Sequence, residues 1–143
     1  MRLAGLEIRE IPLDPSHTPL VSASIITTHK WAQAHPEQAR AVVKATTDAM
    51  NAIAADPQIA IDATKPWDDS LASEDPLASA NAVLAATVPL WLGTSGHATG
   101  MQDLTTWAQM VTFLDWLGEL EGPVDPASVA TNDYVSPAEE PQS

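Results

Sequence analysis

Residues 29–49 read HKWAQAHPEQARAVVKATTDA. The opening segment, His29–Ala34, is shorter than the roughly 12–15 residues an isolated helix needs in water, and it carries an aromatic, Trp31. His35-Pro36 then interrupts the run. Proline suits the first position of a helix, where its missing N–H would have had no intrahelical acceptor. Beyond it, Ala39, Val42, Val43, Thr46, Met50, Ile53 and Ala54 recur at helical spacing and predict one apolar face on a long helix. Thr27 or Thr28 stands where a cap for the short segment belongs.

Further helices are predicted downstream. Asp56-Pro57 restarts the chain, with Ile59, Ala60 and Ala63 lining a shorter helix. Residues 65–75 read as a polar, acidic loop. Asp75-Pro76 opens a helix with Leu77, Ala80, Leu84, Val88 and Trp91 on its stripe. GTSGHATG (Gly93–Gly100) reads as a flexible loop. Asp103 is placed to cap a helix bearing Leu104, Trp107, Val111, Leu114 and Leu117, which Gly118 and Gly122 end. Asp125-Pro126 opens one last turn, and SPAEEPQS reads as a disordered tail. The X-Pro starts share their chemistry but hold no fixed period, so no helical repeat is expected.

Upstream the pattern changes. In LEIREIPL, Leu6 and Ile8 alternate with Glu7 and Arg9, the period of a half-covered strand. LVSASIITT (Leu20–Thr28) is rich in β-branched and small residues with almost no polar face, as in a strand covered on both sides. Two strands followed by about five helices make a helix-rich α/β chain. A strand apolar on both faces needs neighbours, so most of the sheet is expected upstream of residue 1 or on another chain.

Bulk composition excludes several classes. Nineteen acidic residues against six basic give a net charge of −13, which disfavours nucleic acid and anionic membrane as partners. There is no cysteine, so disulfides, thiolate nucleophiles and thiolate metal sites are out. No stretch approaches the about 18 apolar residues of a membrane span, so no direct membrane insertion is expected. MRLAGLEIRE has no apolar signal region. Read from Met1, the chain is expected to be cytoplasmic.

The segment TTHKWAQAHPEQARAVVKATTDAMNAIAADPQIAIDAT, following a buried strand, resembles the C-terminal part of the NMT1/THI5-like (SsuA/THI5-like) substrate-binding proteins of ABC importers. VPLWLGTSGHATGMQDLTTWAQMVTFLDWLGELEGPVDPASVATNDYV fits the remainder of that pattern: a glycine loop, an aspartate-capped helix with a tryptophan, an "FL…LG" run, "PVD", and a final "TN" before an aromatic. The resemblance runs from about Leu6 to Val135. It implies a type II periplasmic-binding-protein fold, in which two α/β lobes close on a small ligand. On that reading residues 1–135 are the C-terminal part of the solute-binding domain, its N-terminal segments absent, and residues 136–143 are a disordered tail. The full-length protein would be extracytoplasmic, periplasmic or lipid-anchored, with an ABC transporter permease as partner. The implied ligands are a thiamine pyrimidine precursor, riboflavin, a sulfonate or nitrate. No cofactor is expected.

The resemblance also points to candidate contacts. Ser22 and Ser24 lie on the strand expected to cross the hinge, where small hydroxyls either face the cleft or pack under a helix. His17 and Pro19 precede it, at a cleft-side loop or a plain surface turn. Trp91 and Trp107 fall on apolar stripes and read as core. Trp67 in the acidic loop is either exposed for stacking or a loop anchor. His29, His35 and His97 show no metal-ligand spacing. Asp68, Asp69, Glu74 and Asp75 form either a solvated acidic loop or a general-acid pair. No nucleophile stands at a recognisable spacing from a base, so no catalytic residue is expected. Two alternatives remain: a truncated remnant that binds nothing or self-associates through Leu20–Thr28, and a pyrimidine-forming enzyme of the THI5 type. The enzyme lacks its cysteine-rich motif here.

Overall fold

The computed structural model describes residues 9, 11, 21, 23–91 and 98–136. Five α-helices lie among them: α1 (His29–Ala34), α2 (Pro36–Ala55), α3 (Gln58–Thr64), α4 (Glu74–Trp91) and α5 (Leu104–Leu117). Two 3-10 turns, Asp69–Ala72 and Pro126–Ser128, complete the set. The helix-rich expectation stands. The chain divides into two compact units, Met1–Gln33 with Gln102–Tyr134, and Ala34–Met101 with Val135–Ser143.

The expected strand Leu20–Thr28 is not seen in its described part. Val21 and residues 23–28 form no strand, and no strand occurs among the described residues. Ile26 stands 89% exposed and Ile25 is exposed beside it. The reason is physical: an extended segment becomes a strand only by pairing its backbone, and no described segment offers a partner edge. Of the other expected strand, LEIREIPL, only Arg9 and Ile11 are described, and both are exposed and not in a strand; the tail beyond Ser136 lies outside the described residues.

Within the second unit, α2, α3, α4 and the first 3-10 turn pack on one another. Pro36 is the first residue of α2, and His35 precedes it without a side-chain cap. At 1.5 Å per residue the 20-residue α2 spans about 30 Å. Its inner face is Ala39, Val43, Thr47, Met50, Ile53 and Ala54. Val42, 52% exposed, and Thr46 sit about 100° away from that line and face outward, a correction to the predicted stripe. The Thr46 hydroxyl donates to the Val42 carbonyl at 2.9 Å, within the helix. On the outer surface Lys44 pairs with Asp48 at 2.8 Å, an exposed contact worth a few tenths of a kcal/mol.

Asp56 ends α2 and accepts the Gln58 N–H at 3.0 Å, which turns the chain into α3. Ile61, 3% exposed, is the most buried residue described; Ile59 and Ala63 point out instead of lining the helix. Asp68 accepts the Ser70 N–H at 3.0 Å and starts the first 3-10 turn, which buries Leu71 under what the sequence presents as a polar loop. The stripe of α4 is as predicted: Leu77, Ala80, Leu84, Val88 and Trp91 are its shielded side.

The end of the glycine loop is not loose where it is described. Gly100 adopts φ +88° and lies so close to α2 that an added Cβ would meet Thr47 Cγ2 at 2.5 Å. Beside it the Thr99 hydroxyl donates to Asn51 Oδ1 at 2.6 Å.

In the first unit, Thr28 caps α1 by accepting the Trp31 N–H at 3.1 Å. Asp103 caps α5, its carboxylate accepting the N–H of Thr105 and of Thr106 and the Thr106 hydroxyl. Gly118, at φ +74°, closes the helix: its N–H donates to Asp115 and the Glu119 N–H donates to Leu114, the paired bonds of a Schellman end. The Asn132 side chain clamps the chain across 30 positions, accepting the Gln102 N–H at 2.8 Å and donating to the Gln102 carbonyl at 2.9 Å. The Gln102 side chain in turn accepts the Trp107 indole N–H at 2.9 Å. Asp125 caps the second 3-10 turn, which packs on α5.

Candidate functional site

Of the four ligand-contact candidates, Ser22, Pro19 and His17 lie outside the described residues. Ser24 is exposed, on non-helical chain leading to α1.

What the structure places near Ser24 in sequence is a surface groove. Ile26, Thr27, Thr28 and Trp31 line an open hollow of about 490 Å³. It arises where the Thr28 cap turns extended chain into α1 and sets Trp31 one turn beyond. The Thr28 hydroxyl oxygen already accepts the Trp31 N–H; Thr27, Ile26 and the indole supply the remaining surface. Small-molecule sites occupy about 300–1,000 Å³ but enclose most of their ligand, and this hollow, open on its outer side, is not an enclosed site. The sequence signal for it was present: a capping threonine followed three residues later by an aromatic.

No catalytic constellation appears among the described residues, where no three His, Asp or Glu side chains converge as metal ligands. In the acidic loop, hydrogen bonds from the Ser70 hydroxyl and backbone hold the Asp68 carboxyl below the usual aspartate range. A carboxyl so held is a charged cap near neutral pH and a poor general acid. Asp62 is lowered too, chiefly by the Gln58 amide at 2.9 Å and then by Lys65 at 3.2 Å. Both are surface groups. Trp91 and Trp107 are part-buried, as core residues should be. Trp67 is 87% exposed and anchors nothing.

Comparison of the chain with protein-family models, with curated proteins and with solved structures finds no match. No helix among the described residues is long and apolar enough to cross a membrane.

Proposed function

We propose that the chain is the C-terminal part of a solute-binding component of an ABC importer, of the NMT1/THI5-like kind, and that it binds rather than transforms its ligand. The observation that carries this reading is the unfilled second side of α4. From Pro76 to Trp91 α4 has no charged residue, yet none of its side chains is fully buried. A helix with no charged side and few polar residues belongs between two layers. In an α/β lobe the second layer is a sheet, and Leu20–Thr28 would be one of its strands once it gained neighbours.

The open hollow at Ile26–Trp31 fits the same reading. A cleft closed by a second lobe would cover it and bury the ligand. The ligand class rests on the resemblance: a thiamine pyrimidine precursor, riboflavin, a sulfonate or nitrate. The full-length protein would then act outside the cytoplasm and dock on a permease.

The test is calorimetric titration of the protein, expressed with all coding sequence in frame upstream, against those four ligand types. Saturable binding of one of them, weakened by Trp31→Ala, supports the reading. Binding of none refutes it. A second reading, a self-associating remnant, is favoured only by the bare Ile25 and Ile26. Sedimentation distinguishes it, because concentration-dependent association abolished by Ile25→Asp with Ile26→Asp would select it.

A further inference from the structure

One surface of the first unit combines exposed apolar area with charge of a single sign. Trp116 is 78% exposed at the end of α5, with Leu117 exposed next to it. One side of the Trp116 ring is braced by Phe113, at 6.2 Å between centroids and 27° between planes. The indole is thus held in place and turned to solvent. Asp115, Glu119 and Glu121 follow in the same seven residues and are all exposed.

These carboxylates stand at the wrong end of a helix. The C-terminus of α5 carries the negative pole of the helix dipole, where a cation is favoured and an anion is not. No basic residue lies in its last turn. Lys65 is the last basic residue of the sequence, so residues 66–143 contain no Lys or Arg at all. Gln102–Tyr134 holds no Lys or Arg, and the only such residues of this unit, Arg2, Arg9 and Lys30, lie in its other segment, Met1–Gln33.

The identity of what covers it follows from these signs. A neutral sheet laid over Trp116 would desolvate three unpaired carboxylates, which costs several kcal/mol unless each is paired. A second copy would bring the same charge against itself. A segment carrying Lys or Arg beside apolar residues meets every requirement. Its cations pair with Asp115, Glu119 and Glu121, one of them stacks on the indole face, and its apolar side covers Leu117. We propose that the C-terminal end of α5 is a docking surface for a cationic amphipathic segment of a partner protein. This stands independently of the solute-binding reading.

The experiment is fluorescence anisotropy of a labelled amphipathic helical peptide of Leu, Lys and Arg titrated with the full chain, against a control peptide with Gln at every cationic position. The cationic peptide should bind saturably, and the Gln peptide should not. The triple variant D115N/E119Q/E121Q should raise Kd about tenfold, and separately Trp116→Ala should raise it about threefold or more. The triple variant D69N/E74Q/D75N removes the same charge elsewhere and should leave Kd within about twofold. All these positions are exposed, and matched circular dichroism confirms the fold. Equal weakening by the two triple variants would reduce the effect to the overall field and overturn the proposal. So would equal binding of the Gln peptide, the absence of saturable binding, or dimerisation of the protein through Trp116.

Discussion

Replacing Gly100 with alanine tests the packing of the second unit at one atom. Two terms oppose the substitution. The backbone there is left-handed, at φ +88°, which costs an L-residue about 1–2 kcal/mol. The new Cβ would also stand 2.5 Å from Thr47 Cγ2 on α2, and forcing extra volume into a packed contact costs about 1–3 kcal/mol. Alanine returns about 0.4–1 kcal/mol by restricting the unfolded chain. The expected net loss is about 2–4 kcal/mol, read as a lowered urea midpoint at unchanged slope. The two terms separate with Thr47→Ser, which removes Cγ2 and keeps the hydroxyl that donates to the Lys44 carbonyl. The next-nearest atom, Thr47 Cβ, is at 3.8 Å, an ordinary contact. In the serine background Gly100→Ala should therefore cost only the backbone term, and the double-mutant cycle should show a coupling of about 1–3 kcal/mol. Gly118→Ala calibrates the backbone term alone, because φ is +74° there and nothing lies within 4 Å. Gly122→Ala meets neither obstacle and should be neutral or slightly stabilising. Equal costs for Gly100→Ala in the two Thr47 backgrounds would refute the contact, and with it the seating of the loop on α2.

Other predictions are simpler. Asn132→Ala removes both bonds to the Gln102 backbone and should destabilise the first unit by about 1–3 kcal/mol, with faster hydrogen exchange at the Gln102 amide. Asn132→Asp keeps the acceptor but sets a carboxylate against the Gln102 carbonyl, so it should not restore stability. Trp67→Ala should shift the urea midpoint by no more than about 0.5 kcal/mol equivalent, since the side chain is almost wholly exposed. The carboxyl of Asp62 is lowered in the folded protein, so its contribution is present above the unfolded aspartate value and is lost as pH falls through the lower folded value. The stability difference between the parent and Asp62→Asn should accordingly shrink on acidification below about pH 4 and be constant from there to neutrality.

The helix starts were legible because each is a local event. Thr28, Pro36, Asp103 and Asp125 do their work within three residues of themselves, and a cap or a proline needs no knowledge of the rest of the chain. The α4 stripe was legible because Leu77, Leu84 and Trp91 fall on a single line of the helix. On α2 the reading included Val42 and Thr46, since apolar or small character alone does not say which of two lines 100° apart meets a neighbour. Leu71 was hidden because a single apolar residue among Asp68, Asp69 and Glu74 has no period to reveal it. The Asn132–Gln102 clamp joins two loop residues 30 positions apart, which no local pattern records. The strand at Leu20–Thr28 is not seen among its described residues for the opposite reason. Its composition states what the segment can do, but a strand exists only as one of a pair. Of the candidate site only Ser24 is described, so its reading rests on the sequence alone.

The three longer helices differ in a way that bears on what the molecule is. α2 alternates Glu37, Arg40, Lys44 and Asp48 with its apolar line and keeps its charges in water, as a one-sided helix does. α4 rests one line of side chains on α2 and α3, yet its far side, with Ala78, Ala82, Ala86, Val83 and Leu90, is also uncharged and stands open. Leu90 alone is 79% exposed, and covering a side chain of that kind contributes about 1.5–3 kcal/mol. Nothing about helix propensity asks for that second apolar side; alanine with glutamate and lysine would make a better isolated helix. Its composition is explained by a layer lying over it, made of residues that bring no charge. The end of α5 asks for a different cover, because Asp115, Glu119 and Glu121 rule out a neutral one. Two bare surfaces of opposite requirement on one chain therefore ask for two different covers: an uncharged layer over α4 and, as proposed, a cationic segment at Trp116.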